Sequence, residues 1–450
     1  MGHKIEHMGE DKLKRLRRLG VVKGARHLKP ALPRSQEKLD QYFDRPEYDS
    51  PEENPGQENL SLAVLFPGGQ VIETDYGSCF VLDQVYPLTH RHGEDSLAGL
   101  ITTPIGAAAT FTRDQRLTSL RPDDLLFLDT ETTGLSGAGT IAFMVGVAFI
   151  ESSQDPSGSR QAFVVRQYFL RDHGDEPAML FLLSQLLAQR KGLVTFNGRS
   201  FDLPLLDTRY LMNRLDGLVG DLRDRPHIDL LPPSRRLWRH RFTSCSLGSL
   251  EEKLLGLTRN QEDIPGWAIP GLYLEYLRSR DAREMRRVFY HNQVDMLSMA
   301  TLIVRILRQF TQPQPGDHPL DLLSLGRWQM AMGQTTEAEK NLQLAATLDL
   351  PLSHYQQALY LLGSLLKRAD RRLEAVPLWQ QIAVTSFDDV SAHLELAKAF
   401  EWHLDDLQSA RMWTREALKL YESWDGGRDL ILQEELLHRL QRLELKIGAR

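Results

Sequence analysis

The stretch Leu125-Leu126-Phe127-Leu128-Asp129-Thr130-Glu131-Thr132-Thr133-Gly134 decides the fold. Four consecutive apolar residues read as a strand buried on both faces, the kind that helices cover, and the run ends abruptly in polar residues. Side chains at i and i+2 of a strand share a face, so Asp129 and Glu131 stand side by side at the strand's end. Residues 141–150 and 162–169 follow as further strands, expected antiparallel to the first. A helix over 176–187, a strand over 193–196, a helix over about 204–214 and a long amphipathic helix over about 282–310 complete the alternation. Residues 121–312 therefore predict an α/β domain with helices packed on a sheet.

Upstream, residues 60–66, 71–74 and 79–82 read as short strands around Pro67-Gly68-Gly69 and Tyr76-Gly77, which predicts a small antiparallel β-rich segment over 59–120 packed on that domain. The run His90-Arg91-His92-Gly93-Glu94-Asp95 reads as solvated surface, because nothing near it in sequence completes a metal shell. Residues 1–34 carry ten Lys/Arg against three acids, and 35–58 carry eight acids with Pro46, Pro51 and Pro55. Such a composition buries too little apolar surface to order itself, so 1–58 reads as a flexible basic-then-acidic arm.

Downstream, residues 318–450 read as helical throughout, and small residues recur in them. Gly326, Ala338 and Ala345 stand at offsets 0, 12 and 19, and Gly363, Ala375 and Ile382 repeat those offsets. Ala397, Ala410 and Ala417 form a third unit, the last two one position late. Small residues at such places let paired helices pack closely, as in all-α helical repeats.

The chain of 450 residues has length for two or three domains, and 42% hydrophobic with 25% charged residues is globular composition. A net charge of -6 excludes a protein that binds nucleic acid through bulk positive charge, though not a local basic groove. Cys79 and Cys245 make neither a disulfide framework nor a zinc site, which fits a reducing cytoplasm. The start, MGHKIEHMGEDK, has no secretory h-region, and the longest apolar run, 141–150, is too short to span a bilayer, so no membrane role follows.

Three segments aim carboxylates. Asp129 and Glu131 end the first strand; Thr195-Phe196-Asn197-Gly198-Arg199-Ser200-Phe201-Asp202 breaks a strand at Asn-Gly and delivers Asp202 to a helix start; Tyr290-His291-Asn292-Gln293-Val294-Asp295 puts His291 and Asp295 on one helix face. Gathered carboxylates raise one another's pKa unless cations neutralise them, and hard oxygen donors suit two Mg²⁺ or Mn²⁺ ions. Two such ions about 4 Å apart stabilise both the attacking and the leaving oxygen of a phosphoryl displacement, with His291 as general base for water.

In this order the segments resemble the DEDD 3′–5′ exonucleases of the ribonuclease H-like fold, whose motifs are Asp-x-Glu, a central Asp, and a final Asp preceded by Tyr or His. The strings FLDTETTGL, TFNGRSFDLPLLDTRY, HIDLLPPSRRLWR, SLGSLEEKLLGL, DIPGWAIP and YHNQVDMLSM are similar to the bacterial YprB-like branch, which joins this nuclease domain to tetratricopeptide-type helices. The repeat offsets likewise resemble the tetratricopeptide consensus. The resemblance implies a mixed ribonuclease H-like sheet flanked by helices. It makes Asp129, Glu131, Asp202 and Asp295 metal ligands in a hydrolase that releases 5′-mononucleotides, with DNA as favoured substrate, DNA repair as setting and a helicase as partner. One departure stands out. Those exonucleases carry Tyr four, or His five, positions before the last Asp, whereas His291 is four and Tyr290 five positions before Asp295. His291 as base fits helical geometry; Tyr290 as base or core residue is the alternative.

The resemblance gives Thr132, Thr133, Gly134 and Leu135 roles at the 3′-terminal nucleotide. Asn197 and Phe201 either line the same pocket or serve as turn former and core. Asp229 either helps to position metal or base, or caps a helix. Arg235, Arg236 and Trp238, with Arg239 and Arg241, suit phosphates and base stacking or else form a partly buried amphipathic helix, and Arg278–Arg287 is a second basic stretch. An RNA-processing exonuclease and a non-catalytic nucleic-acid-binding adaptor acting through the repeats are the competing functions.

Overall fold

The computed structural model describes residues 59–134, 139–155, 158–260, 262–385, 390–423 and 430–449. The arm over 1–58 and Leu135 lie outside the described residues. The chain divides into two compact units, one comprising residues up to Pro233 with Ser246–Leu307, the other Ser234–Cys245 with the chain from Arg308 onward.

The first unit is built on a mixed seven-stranded sheet flanked by helices. The strands are β1 (Gln70–Thr74), β2 (Gly77–Pro87), β5 (Leu125–Thr132), β6 (Ala142–Asp155), β7 (Gly158–Phe169), β8 (Gly192–Thr195) and β9 (His227–Asp229), in the order β1-β2-β7-β6-β5-β8-β9. A two-stranded ribbon, β3 (Arg91–His92) with β4 (Asp95–Ser96), stands apart from it. Helices α1 (Glu176–Gln189), α2 (Asp202–Met212), α3 (Ile269–Ser279) and α4 (Met285–Thr311) supply the apolar faces that cover the sheet. Strand β5 lies inside the sheet, antiparallel to β6 and parallel to β8, so its polar end stands away from both sheet edges.

Several expectations change. β7 pairs antiparallel with β6, so it runs in the same direction as β5, and of these two strands β6 alone is antiparallel to the first. β1 and β2 are not a separate β-rich piece, because β2 pairs with β7 from Phe80↔Phe169 to Pro87↔Ala162 and the two become the outer strands of the main sheet. Residues 60–66 form a single helical turn, Leu62–Leu65, instead of a strand. A short apolar run has no periodicity to separate the two, and here Phe66 packs tilted against Phe289 of α4 with ring centroids 4.3 Å apart. The His90–Asp95 run is not solvated surface either. His92 is buried with Nε2 2.8 Å from Ser298 Oγ, and Arg305 of α4 pairs with Asp95 and with Glu94, so the ribbon pins the long helix.

The second unit is helical: α5 (Pro319–Ala331), α6 (Thr335–Thr347), α7 (Leu352–Arg368), α8 (Arg372–Thr385), α9 (Val390–Trp402), α10 (Leu407–Ser423) and α11 (Leu430–Gly448). The recurrent small residues sit where helices pair. A Cβ on Gly326 would lie 2.8 Å from the Leu342 side chain, and one on Gly363 would lie 2.7 Å from the Trp379 indole, so glycine permits both contacts. Residues 234–245 belong here: Trp238 is buried, Arg236 lies 5.8 Å from the Trp328 ring and Arg241 pairs with Asp321 at 2.7 Å. Trp238 is thus a core residue rather than an exposed stacking platform, while Arg235 and Arg236 remain exposed. No helix among the described residues is long and apolar enough to cross a membrane.

Candidate active site

Asp129 and Glu131 project from one face at the end of β5, as the i, i+2 spacing requires. Asp202 opens α2 after the loop 196–201, and Thr130 donates to its Oδ1 at 2.6 Å. α4 brings His291, Asn292 and Asp295 over the sheet. Asp129 is half-buried and Glu131 and Asp202 are buried, near enough for their charges to act on one another. Burial first, then the charges of Asp202, Glu131 and Asp295, holds the Asp129 carboxyl well above the usual carboxylate range. Burial likewise pushes Glu131 up to about 7, opposed by His291, and Asp202 up to about 6, opposed by the Thr130 hydrogen bond.

The sheet accommodates α4 through one missing side chain. Asp129 on β5, Gly146 on β6 and Gln167 on β7 form a row in register, and a Cβ on Gly146 would stand 2.0 Å from Asn292 Oδ1. Asn292 fills that gap. Its Nδ2 donates to Asp129 Oδ2 at 3.1 Å, while Gln167 Nε2 donates to Asn292 Oδ1 at 3.1 Å and to the Phe289 carbonyl at 2.8 Å. Gly146→Ala is expected to expel Asn292, free the Asp129 carboxylate to swing, and lower any hydrolysis at this site about 10–100-fold, the usual cost when a carboxylate proposed to hold a metal loses its outer hydrogen-bond partner. Steady-state kinetics on the purified variant check this.

His291 is oriented from the far side of its ring. Its Nδ1 lies 2.8 Å from Asp263 Oδ1, and its Nε2 lies 3.7 Å from Asp295 Oδ2. Burial alone would lower its pKa, but the Asp263 hydrogen bond and the charges of Asp295 and Glu131 prevail and hold it up to about 9. Arg259 ties this corner together, gripping the buried Glu251 through Nε and Nη2 at 2.6 Å each, reaching Asp263 at 3.2 Å and pairing with Asp295. A cleft of about 460 Å³ opens beside them, bounded by Leu247, Thr258, Ile264 and Pro265. Tyr290 points elsewhere: its hydroxyl accepts the Asn260 backbone N–H at 3.4 Å.

The remaining sequence candidates divide. Thr132 Oγ1 donates to the Gly134 carbonyl at 2.8 Å and Thr133 Oγ1 accepts from Ile141 N at 3.1 Å, so both hydroxyls shape the turn after β5. Asn197 adopts φ 67°, a left-handed conformation that Asn tolerates, and its N–H donates to Asp229 Oδ1 at 2.7 Å. Asp229 also accepts from Arg199 N at 3.2 Å and Leu231 N at 3.1 Å, which makes it a cap for two backbone turns. Phe201 is 57% exposed, so it is not core, and it stands beside the buried Asp202. Arg278, Arg283, Arg286 and Arg287 are each paired with a neighbouring carboxylate.

The donor set is all oxygen, as a hard divalent cation requires, and the mutual repulsion of Asp129, Glu131 and Asp202 is the kind such a cation relieves. Among the described residues no three His, Cys, Asp or Glu side chains close around a point; Asn292 holds an oxygen of Asp129, Thr130 one of Asp202 and Arg259 one of Asp295.

Comparison with known proteins gives two matches. A family model of the RNase H superfamily matches residues 126–307. The uncharacterized protein YprB of Bacillus subtilis (strain 168) is 32% identical over 389 residues, covering 84% of this chain and 88% of that protein.

Proposed function

This chain belongs to the YprB family and carries an RNase H superfamily domain, and on that premise we propose that it is a divalent-metal-dependent 3′–5′ exonuclease that shortens nucleic acid to 5′-mononucleotides. The observation that supports the reading is that Asp129, Glu131, Asp202 and Asp295 lie near enough for their charges to act on one another, with an oriented imidazole, His291, 3.7 Å from Asp295. Four clustered carboxylates repel phosphate, so a mere binder of nucleic-acid ends gains nothing from them.

Mg²⁺ or Mn²⁺ held by these four carboxylates would supply charge neutralisation and Lewis-acid stabilisation of the attacking and leaving oxygens. The protein's own residues do the rest. Asp263 holds Nδ1 of His291, leaving Nε2 to take the proton of a water. The bond from that water oxygen to phosphorus forms as the bond to the 3′-oxygen of the penultimate nucleotide breaks. Asn292 fixes the Asp129 carboxylate. Phe201, exposed next to Asp202, stacks on the terminal base, and the turn Thr132–Gly134 bounds its sugar. Tyr290 takes no part in proton transfer. DNA as substrate, a repair setting and a helicase partner follow from the family resemblance, and the helical repeats would carry the protein contacts.

The test uses DNA and RNA strands labelled at the 3′ or the 5′ end, with Mg²⁺ or Mn²⁺. The 3′ label is expected to appear at once as a mononucleotide, and the 5′ label to shorten in single-nucleotide steps. Cleavage beginning at the 5′ end or within the strand overturns the polarity. RNA cut faster than DNA transfers the reading to RNA processing.

A further inference from the structure

The helical unit carries 15 Lys/Arg against 19 acids over 318–450, yet its positive charge is not spread evenly. A cavity of about 290 Å³ is floored by Trp379, Ala399 and Trp402 and rimmed by Lys367, Arg372 and Lys398. A second, of about 380 Å³, is lined by Ser364, Lys367, Arg368 and Arg372. Lys367 and Arg372 line both, so the two form one continuous cleft along the end of α7 and the faces of α8 and α9. Four cations face it against one lining carboxylate, Glu395, which Lys367 at 2.5 Å and Lys398 at 3.5 Å share. Arg372 pairs outward with Asp370, and Arg368, exposed, has no ion pair among the described residues. The nearby buried Glu401 adds no opposing charge, because Arg439, Arg442 and Lys446 neutralise it.

The aromatic floor distinguishes the occupant. Trp379 is buried against Gly363, but Trp402 is 54% exposed, with Arg439 4.8 Å from its ring centroid. A flat exposed indole beside a polar cationic cleft is how proteins take a single strand, bases stacking on the ring while phosphates lie on Lys and Arg. An acidic peptide would use the cations alone and leave bare the part of the Trp402 ring that Arg439 does not cover. We propose that this cleft binds single-stranded nucleic acid, a base on Trp402 and the flanking phosphates on Lys367, Arg368, Arg372 and Lys398. The choice of polymer rests on the nuclease reading; the cleft itself does not.

The experiment is fluorescence anisotropy of a labelled oligothymidylate with the full chain in EDTA, over a salt series. Arg368→Glu with Arg372→Glu is expected to weaken binding at least about tenfold and to flatten the slope of log affinity against log salt by about 1.4, two phosphates at roughly 0.7 each. Trp402→Ala is expected to weaken binding about tenfold with the slope unchanged. Arg368→Gln with Arg372→Gln gives the same ordering should charge reversal disturb folding. With Mn²⁺, each variant is expected to hydrolyse the p-nitrophenyl ester of thymidine 5′-monophosphate at the wild-type rate. Affinity and slope equal to wild type in every variant overturn the proposal, as does displacement of the oligonucleotide by an oligoaspartate peptide at equal concentration. A wild-type chain that leaves the ester intact rejects the nuclease reading instead, and the anisotropy still decides the cleft.

Discussion

Asp129→Asn is expected to lower the rate of mononucleotide release by about a thousandfold or more while raising the melting temperature of the chain in EDTA. The rate follows from the loss of a ligand in the Asp129, Glu131, Asp202 and Asp295 set, whose cations would stabilise several kcal/mol of transition-state charge, at a factor of ten for each ~1.36 kcal/mol. Stability moves the other way, because Asp129 is half-buried beside like charges, which together hold its carboxyl above the usual range. The folded-state pKa values of Asp129, of Glu131 at about 7 and of Asp202 at about 6 all lie above the ordinary carboxylate range. Between that range and neutrality the folded chain binds more protons than the unfolded chain, so stability falls as pH rises through this window. Asparagine keeps the shape, can still accept from Asn292, and removes one of the repelling charges. Thermal melts in EDTA from about pH 5 to about pH 8 are expected to fall for wild type and to fall less for the variant, with about 2–4 °C for each kcal/mol relieved. Gain of stability with loss of activity is the signature of a residue placed for chemistry and not for folding.

His291→Gln is expected to slow turnover about a hundred- to ten-thousandfold with little change in KM, whereas Tyr290→Phe leaves the rate within about twofold. The two residues are neighbours in sequence but a helix sets successive side chains about 100° apart, and only His291 faces Asp295, at 3.7 Å. Tyr290 Oη instead meets the backbone of Asn260. A base that must lose its proton first gives an ascending pH–rate limb, which the Asp263 hydrogen bond displaces toward alkaline pH, and which the glutamine variant lacks. A Tyr290→Phe variant as impaired as His291→Gln would exchange the two roles. Single-turnover rates over a pH series decide between them.

Much of this was readable in the chain. Leu125–Leu128 announces a doubly covered strand because no polar residue interrupts it, and the i, i+2 and i, i+4 spacings place Asp129 with Glu131 and His291 with Asp295 on shared faces. What was not readable depends on contacts distant in sequence. Asp263 lies 28 residues before His291, in a string whose chemistry is silent until the chain folds, and Glu251, on a helical turn, and Arg259, in the irregular chain after it, reach the same corner. Gln167 and Asn292 are unremarkable polar residues until sheet register and helix docking bring them to Asp129. Gly146 did carry a signal: an isolated glycine inside an apolar strand marks a close approach, here that of Asn292. Trp238 misleads for a physical reason. An amphipathic helix that buries its Trp has the same composition as a stacking surface, and only the packing of Trp238 tells them apart.

The central claim is that Asp129, Glu131, Asp202 and Asp295 form one divalent-cation site. Calorimetric titration of the full chain with Mn²⁺ in the presence of thymidine 5′-monophosphate tests it directly. About two ions per chain are expected for wild type, and at most one for Asp129→Asn and for Asp202→Asn. A wild-type chain that binds no Mn²⁺, or variants that bind it with wild-type stoichiometry and affinity, would contradict the account.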